Sequence, residues 1–333
     1  MSGEAAADPS GVVLAPGKPA PVRAVFLGSG SFAVPILDAL AALPGVEVVA
    51  VVSAPDRPVG RKAIVTSTPV AARARALGLH LHQPGRVRSP ESVAMLVTLA
   101  PDLAVLADYG QLIPRSLIEL PARGFLNLHP SSLPRHRGAT PIPATILAGD
   151  NASAVTLLCL TEELDAGPIV AVAPVEVRLD DTTSELEGRA AEVAALLLAR
   201  ALPEWLAGRL TPTLQPAEGM TLTRPLRRED GRIDPLRPAV ELERQVRAFQ
   251  PWPGSFLETS GGRLIVWRAS LVPGIAEAGG QSEPGNLLRF GDGLALATGA
   301  GLLRLDEVQL AGGRRMTSAA LTRGSPGLLG NRG

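Results

Sequence analysis

Residues 125–138 read FLNLHPSSLPRHRG, and the rest of the chain is organised around this stretch. Its first residues are mostly apolar, which is the pattern of a short buried strand, and Pro130 ends that strand. Asn127 and His129 stand two positions apart, so they share one face of the strand. The pattern predicts an amide and an imidazole side by side at the strand's carboxyl end, the edge where open α/β sheets bind ligands.

A second stretch, TEELDAG at residues 161–167, lies between apolar segments that predict two strands, 155–160 and 169–177. We expect Gly167 to supply the unusual backbone angle of the turn between them. The turn would carry Asp165 back towards His129, adding a carboxylate to the amide and the imidazole.

Both features also have a purely structural interpretation. An Asn-x-His pair often satisfies its own hydrogen bonds, and Asp-x-Gly turns form for backbone reasons alone. The residues that follow Pro130, SSLPRHRGATPIP, favour a functional site. Such a basic stretch, punctuated by proline and glycine, is costly to order unless it shapes a site.

The amino-terminal half shows alternating strand and helix patterns. A strand at 23–27, a GSGSF turn, a helix through Leu43 and a strand at 46–52 are followed by further strands at 79–82 and 103–107. This order predicts an α/β fold, a Rossmann-like, doubly wound and mostly parallel sheet. The short segments beyond residue 220, separated by glycine and proline, predict a smaller carboxyl-terminal β-barrel.

These patterns divide the chain into a flexible tail (1–21), an α/β domain (22–207), a linker (208–220) and a β-barrel domain (221–333). The glycines of GSGSF invite a dinucleotide reading, but Ala33 replaces the third glycine and no acid ends the second strand. We therefore expect that the chain binds no nicotinamide cofactor. The glycines would instead allow close packing of the strand and the helix.

Composition narrows the classes of function. The 333 residues are 46% hydrophobic with a formal net charge of zero, so any RNA contact must come from a local patch. A single cysteine, Cys159, and four histidines argue against disulfides and metal sites. The start lacks a basic segment followed by an apolar one, and no stretch predicts a membrane span. We expect a cytoplasmic protein.

A family resemblance rests on the two central stretches. Asn127-x-His129-x-Ser131-x-Leu133-Pro134, then Arg135-x-Arg137-Gly138, then Leu164-Asp165-x-Gly167, resembles the signature of folate-dependent formyltransferases. The resemblance implies formyl transfer from 10-formyltetrahydrofolate, with Asn127, His129 and Asp165 as catalytic residues. It implies folate contacts from Ser131, Ser132, Leu133 and Pro134, and from Tyr109 and Gly110 in ADYGQLIP.

Two further segments suggest the acceptor. The loop APDRPVGRK resembles a family loop that contacts the acceptor arm of tRNA, which implies RNA contacts from Arg57, Arg61 and Lys62. The PWP segment at 251–253 and the GRRMTSAAL end resemble the carboxyl-terminal, OB-like domain of members that formylate methionyl initiator tRNA. The chain departs from the family at Asp108, Ser132, Leu222, Pro225 and Pro235.

The implied reaction needs an oxyanion donor, a proton carrier and a group that orients the carrier. The Asn127 amide can donate to the oxyanion, an interaction worth roughly 3 kcal/mol in a preorganised site. His129 and Asp165 can move protons, and the sequence leaves their division open, with Glu162 and Glu163 as alternative carboxylates. Two other functions stay open: formylation of an amino-sugar nucleotide, and tRNA binding without catalysis. We expect a monomer that binds neither DNA nor membrane.

Overall fold

A computed structural model describes residues 20–59, 63–273 and 282–324. The predicted flexible tail lies outside these ranges, except for its last two positions. None of the described helices combines the length and the apolar character that a membrane crossing requires.

The amino-terminal half alternates strands and helices, as the sequence predicts. In chain order its elements are β1 (Val22–Gly28), α1 (Ala33–Ala42), β2 (Val46–Val52), β3 (Arg57–Val59), β4 (Ile64–Thr66), α2 (Pro69–Ala76), β5 (Leu81–His82), α3 (Pro90–Thr98), β6 (Leu103–Ala107), α4 (Arg115–Ile118), β7 (Phe125–His129), β8 (Arg137–Gly138), α5 (Pro141–Ala148), β9 (Ala152–Cys159), β10 (Ile169–Glu176) and α6 (Thr183–Leu206).

Local signals set several helix starts. The Ser89 side chain accepts a hydrogen bond from the backbone N–H of Ser92, and Pro90 occupies the first position of α3. Thr182 and Glu185 form the predicted capping box of α6. These helices begin where their caps predict, because a capping side chain satisfies backbone donors that otherwise lack a partner.

The central sheet has seven strands in the order β10-β9-β7-β6-β1-β2-β5. The strands β5, β2, β1, β6 and β7 run parallel, whereas β9 is antiparallel to both of its neighbours. The predicted α/β class and mostly parallel sheet are confirmed.

Helices cover both faces of this sheet. Ala24 and Phe26 of β1 belong to one buried cluster, together with residues of α1 and α6. The alternate residues Val25 and Leu27 belong to a separate buried cluster that includes residues of α3 and α4. Alternation along a strand sends successive side chains to opposite faces, so the two clusters lie on the two sides of the sheet.

The carboxyl-terminal half forms a second, antiparallel unit. The elements of this unit are β11 (Leu222–Thr223), α7 (Ala239–Ala248), β12 (Ser255–Thr259), β13 (Gly262–Leu271), β14 (Leu287–Phe290), β15 (Gly293–Ala297), β16 (Leu302–Leu310), β17 (Met316–Thr317) and α8 (Ser318–Gly324). A 3-10 turn, Arg228–Gly231, lies between β11 and α7. Strands pair in the order β12-β13-β16-β15-β14, with β17 on β16, around a core of their own. Closure of this sheet into an OB-like barrel stays a prediction.

Two segments differ from their predicted form. Residues 54–69, predicted to be an irregular loop, contain a hairpin in which β3 pairs with β4. Residues 208–220, predicted to be a linker, bond to the first domain, since Thr213 and Ile169 exchange backbone hydrogen bonds of 2.7 and 2.9 Å. Just beyond them, β11 pairs in parallel with β8. Both segments are ordered by backbone pairing, and the composition of a segment does not show which residues it will pair with.

Candidate active site

The predicted amide and imidazole lie on one face of β7. Leu126 and Leu128 point into the cluster under α1 and α6, so Asn127 and His129 project from the opposite face. Both are buried, with 4% and 5% of their surface exposed. A buried amide and a buried imidazole need hydrogen-bond partners, and both find them in other segments of the chain.

Asp165, in the turn after β9, supplies the partner of the Asn127 amide. Its carboxylate accepts a hydrogen bond from Asn127 Nδ2 at Oδ1, 3.1 Å, and one from the backbone N–H of Gly138 at Oδ2, 2.8 Å. The Nδ1 atom of His129 lies 3.6 Å from Oδ2. The structure thus brings together the three residues that the sequence predicts to be catalytic, which we call the Asn127–His129–Asp165 cluster.

Strand pairing shows how the turn carries Asp165 back towards His129. Because β9 is antiparallel to β7, Cys159 pairs with Leu126, and Leu160 N–H donates to the Phe125 carbonyl at 2.7 Å. The turn therefore leaves the sheet beside the amino end of β7 and folds back over its face. Asp165 itself takes the left-handed backbone conformation, at φ +49°.

Gly167 has a different role from the one predicted. Its φ does not lie in the left-handed region, but a Cβ at this position would overlap the carbonyl oxygen of Cys159. The expectation that Gly167 supplies the unusual backbone angle is wrong. Glycine is needed at this position because two backbone segments approach closely.

The second nitrogen of His129 is held by the loop after β7. Nε2 lies 2.9 Å from the carbonyl oxygen of His136, and a carbonyl only accepts, so Nε2 carries the hydrogen. The Nδ1 atom of the ring then faces Asp165. His136 has φ +59°, and its Nε2 lies 2.9 Å from an Asp150 carboxylate oxygen. Burial opposes ionisation of Asp150, but Arg135 and His136 lower the pKa of this carboxyl below its usual value.

The segment predicted to contact folate is fixed internally. Ser131 is fully buried, its hydroxyl donates to the Arg135 carbonyl at 2.7 Å, and its carbonyl accepts from Thr156 Oγ1 at 2.7 Å. Leu133 and Pro134 are also buried, whereas Ser132 is exposed. Within this segment, Ser132 has the side chain most accessible to a ligand.

Tyr109 and Gly110 lie at a different place. Gly110 lines a cavity of about 520 Å³ together with Arg57, Ser67 and Gln111. Tyr109 also borders it, and burial raises the pKa of Tyr109 to about 12. Its buried hydroxyl has no hydrogen-bond partner among the described residues. The residues of the Asn127–His129–Asp165 cluster are not among those that line this cavity, so the structure groups the predicted folate residues Tyr109 and Gly110 with the predicted RNA residue Arg57.

The other two predicted RNA contacts, Arg61 and Lys62, lie outside the described residues. Arg57 begins the hairpin and is exposed. In β4, Ile64 and Val65 are 63% and 66% exposed. The hairpin thus presents an arginine and two apolar side chains to solvent.

Asp108 is one of the positions at which the chain departs from the family, and the sequence assigns it no role. It follows β6 at φ +45°, and its carboxylate lies against Gly30, where a Cβ would overlap it. Although the residue is exposed, surrounding protein desolvates the carboxyl and raises the pKa of Asp108 to about 6, with a further contribution from the charge on Glu187. Close approach, not nucleotide binding, explains this glycine.

Gln215 contacts the turn that carries Asp165, and the sequence did not predict this contact. Its amide nitrogen donates to the backbone carbonyls of Asp165 and Gly167, 2.8 Å each, and its oxygen accepts from Arg137. No local signal marks this residue, because it lies 50 positions after Asp165 within a segment with no periodic pattern.

The chain combines a mostly parallel sheet, covered by helices, with a second, antiparallel domain. The first of these carries a buried amide, imidazole and carboxylate, an arrangement typical of a two-domain α/β enzyme. The family model described as formyl transferase matches residues 22–202, and the model for the formyl transferase carboxyl-terminal domain matches residues 225–326. The chain belongs to the formyl transferase family and is a formyltransferase. The predicted family and the predicted activity class are confirmed.

Individual relatives agree with this assignment. The chain is 41% identical over 303 residues to the methionyl-tRNA formyltransferase of Myxococcus xanthus (strain DK1622), covering 91% of this chain and 95% of that protein. An N-formyltransferase from Helicobacter canadensis, in complex with folinic acid and dTDP-3-aminofucose, shares the fold with a TM-score of 0.63 at 14% identity, covering 85% and 99% of the two chains. HypX from Aquifex aeolicus, in complex with tetrahydrofolic acid, has a TM-score of 0.57 at 17% identity over 90% and 46%.

Proposed function

We propose that this enzyme transfers the formyl group of 10-formyltetrahydrofolate to the α-amino group of methionyl initiator tRNA. The Asn127–His129–Asp165 cluster is the observation that carries the chemistry. The acceptor is inferred from the relative named methionyl-tRNA formyltransferase, which matches this chain through both domains.

The reaction begins when the neutral amine attacks the formyl carbon. A tetrahedral intermediate with a negative oxygen forms, and its carbon–N10 bond then breaks as N10 takes a proton. Asn127 has a second amide hydrogen beside the one that it gives to Asp165, and this hydrogen is available to the oxyanion. In a preorganised site such a donor stabilises the transition state by roughly 3 kcal/mol.

The proton removed from the amine must reach N10. Asp165 is the base of this proposal, because its carboxylate is fixed between Asn127, Gly138 and the Nδ1 atom of His129. His129 keeps its Nε2 hydrogen on the His136 carbonyl, so Nδ1 is the ring nitrogen that exchanges a proton with the carboxylate. Transfer through this pair returns the proton to N10, and the reaction leaves the net proton count unchanged.

The donor and the acceptor meet different parts of the crevice in this proposal. Ser132, Leu133 and Pro134 contact one part of the folate, and Ser131 holds their loop. Tyr109 and Gly110 contact another part of the folate from the cavity that Arg57 also lines. Arg57, Arg61 and Lys62 contact the acceptor end of the RNA. The enzyme acts in the cytoplasm as a monomer, without metal, DNA or membrane.

A direct assay tests the reaction and the acceptor together. The purified chain is given 10-formyltetrahydrofolate with methionyl initiator tRNA in one reaction, and with a dTDP-linked amino sugar in another. We expect formyl transfer to the aminoacyl-tRNA alone. Transfer to the sugar nucleotide alone would show that the acceptor is an amino sugar and not aminoacyl-tRNA. The amino-sugar reaction is included because the Helicobacter canadensis protein is described with such a ligand. tRNA binding without any transfer would support a catalytically silent protein.

A further inference from the structure

Gln215 connects the linker to both sides of the Asn127–His129–Asp165 cluster. Its Nε2 donates to the Asp165 carbonyl and to the Gly167 carbonyl, 2.8 Å in each case. Its Oε1 accepts from Arg137 Nε at 3.0 Å and from Arg137 Nη2 at 2.8 Å. One half-buried side chain therefore bridges the turn that carries Asp165 and the strand β8.

The orientation of this amide follows from the chemistry of its neighbours. A guanidinium only donates and a carbonyl only accepts, so the Gln215 oxygen must face Arg137 and its nitrogen must face the turn. Both amide hydrogens and the oxygen are then used. An arrangement with every polar atom satisfied has one favoured geometry, which suits a residue that fixes the position of others.

The two segments joined by Gln215 meet again at the Asp165 carboxylate. Gly138, next to Arg137, donates its N–H to Oδ2 at 2.8 Å. On its other side β8 is paired with β11, and the carbonyl of Thr221, just before β11, accepts from the Arg137 N–H at 3.0 Å. The residues after Asp165 are thus held to the same strand that holds its carboxylate.

The backbone of Asp165 needs such support. A non-glycine residue at φ +49° adopts a conformation that L-amino acids rarely take, and it persists when surrounding contacts enforce it. The backbone bond in this part of the turn, from Ala166 N–H to the Glu163 carbonyl, is long at 3.3 Å. The two bonds from Gln215 are shorter, and they hold the carbonyls at the turn's end.

We infer that Gln215 is a positioning residue, which keeps Asp165 in its left-handed conformation so that its carboxylate faces Asn127 and His129. This inference rests on the proposed role of Asp165. It also makes the connection between the domains part of the active site, because the residue that holds the turn lies in the segment leading to the second domain.

Gln215→Glu tests the inference. The new carboxylate still accepts from Arg137 but has no hydrogen to donate to the two carbonyls, so it loosens the turn while keeping β8 in place. We expect kcat to fall about 10- to 100-fold, as for a misplaced catalytic group, with KM for both substrates changed by less than about twofold. Leu214→Glu is the matched control, because it adds the same charge at an adjacent residue that is 84% exposed.

Amide hydrogen exchange measures the turn without any reaction. In Gln215→Glu, exchange in residues 161–168 should be at least about tenfold faster than in wild type, with unchanged exchange in Leu214→Glu. Gln215→Met keeps the side-chain length without a charge and should accelerate the same segment. If the wild-type chain transfers no formyl group to any acceptor, the proposed function fails, and exchange still decides the role of Gln215.

A double variant separates positioning from a general structural effect. If Gln215 acts through Asp165, adding Gln215→Glu to Asp165→Asn should lower the remaining single-turnover rate by less than about twofold. The same loss in both backgrounds would overturn the inference. A wild-type kcat together with unchanged exchange in residues 161–168 would overturn it as well.

Discussion

The Asn127–His129–Asp165 cluster and the β3–β4 hairpin are both predicted to meet a substrate, but they are built differently. The cluster residues are 4%, 5% and 8% exposed, and their partners come from β7, β8, the turn after β9 and the linker. The hairpin is paired within residues 57–66 and exposes Ile64 and Val65. The groups predicted to perform chemistry are fixed by distant parts of the chain, whereas the surface predicted to meet a large partner stays open.

The base of the hairpin is nevertheless anchored. Asp56 accepts hydrogen bonds from Gln83, Ser67 and Arg75. The bond from Gln83 is the main cause that holds the pKa of Asp56 below its usual value. The comparison therefore concerns the exposed side chains of the hairpin, and the substitutions below change either the cluster or the surface.

Removal of the oxyanion donor should have the largest effect. Asn127→Ala deletes the amide that bonds Asp165 and, in the proposed mechanism, the developing oxyanion, so kcat should fall about 100- to 1000-fold with little change in KM. Steady-state formyl transfer to methionyl initiator tRNA measures it. The control is Asn151→Ala, at an exposed asparagine before β9. Similar rates for the two variants would show that Asn127 does not take part in the reaction.

Displacing β8 should have the next largest effect. Gly138 has φ +105°, and a Cβ there would overlap the Thr223 carbonyl oxygen, so Gly138→Ala must push β8 away from β11. The shift also displaces the Gly138 N–H from its 2.8 Å hydrogen bond to the Asp165 carboxylate. We expect about a tenfold or greater loss of kcat and a stability loss of about 2 kcal/mol by urea unfolding.

The linker provides a matched control for this change. Gly219 has φ +77° but nothing within 4 Å of a Cβ, so Gly219→Ala introduces backbone strain without a clash. It should cost about 1 kcal/mol and leave kcat unchanged. Equal kinetic losses in both variants would mean that strain, and not contact between β8 and Asp165, controls the rate.

The hairpin should show a smaller effect of a different kind. Arg57→Ala removes an exposed positive charge, so KM for tRNA should rise about fivefold, the salt dependence of KM should weaken, and kcat should stay the same. Titrating tRNA at two salt concentrations measures this. Arg209→Ala removes an arginine paired with Glu204 at the end of α6 and serves as the control. A loss of kcat in Arg57→Ala would show that the hairpin takes part in chemistry.

The smallest effect concerns Asp108. Its folded-state pKa of about 6 lies above the ordinary 3.8, so the folded chain binds this proton more tightly, and stability falls as pH rises between these values. Asp108→Asn should therefore be more stable than wild type above pH 6, by at most about 1 kcal/mol because solvent screens this exposed position, and equal to it near pH 3.5. Urea unfolding across this range tests the sign, with Asp180→Asn as a control for charge removal.

Local patterns were enough to predict much of the fold. Alternating apolar residues around Asn127 and His129 put both side chains on one face, and β7 has that geometry. Ser89 and Thr182 begin their helices as their capping groups predict. These features follow from sequence because strand alternation and helix capping involve residues only a few positions apart.

The hairpin and the linker show where such reasoning stops. The segment 54–69 contains prolines and charges that suggest a loop, yet Arg57 pairs with Thr66 across a hairpin. The linker residue Thr213 bonds to Ile169, far away in the chain. Composition describes a segment's own tendency, whereas these bonds depend on a partner that composition does not identify.

The sequence by itself determined the α/β class, the formyltransferase family and the residue types of the cluster, since these depend on local periodicity and a compact motif. Only the tertiary structure decided that the turn after β9 leaves beside Phe125, that Asp165 rather than Gly167 takes the left-handed backbone, and that Gln215 holds the turn. The physical reason is distance along the chain. Strand direction and close backbone approach join residues tens of positions apart, and no local pattern encodes which of them will meet.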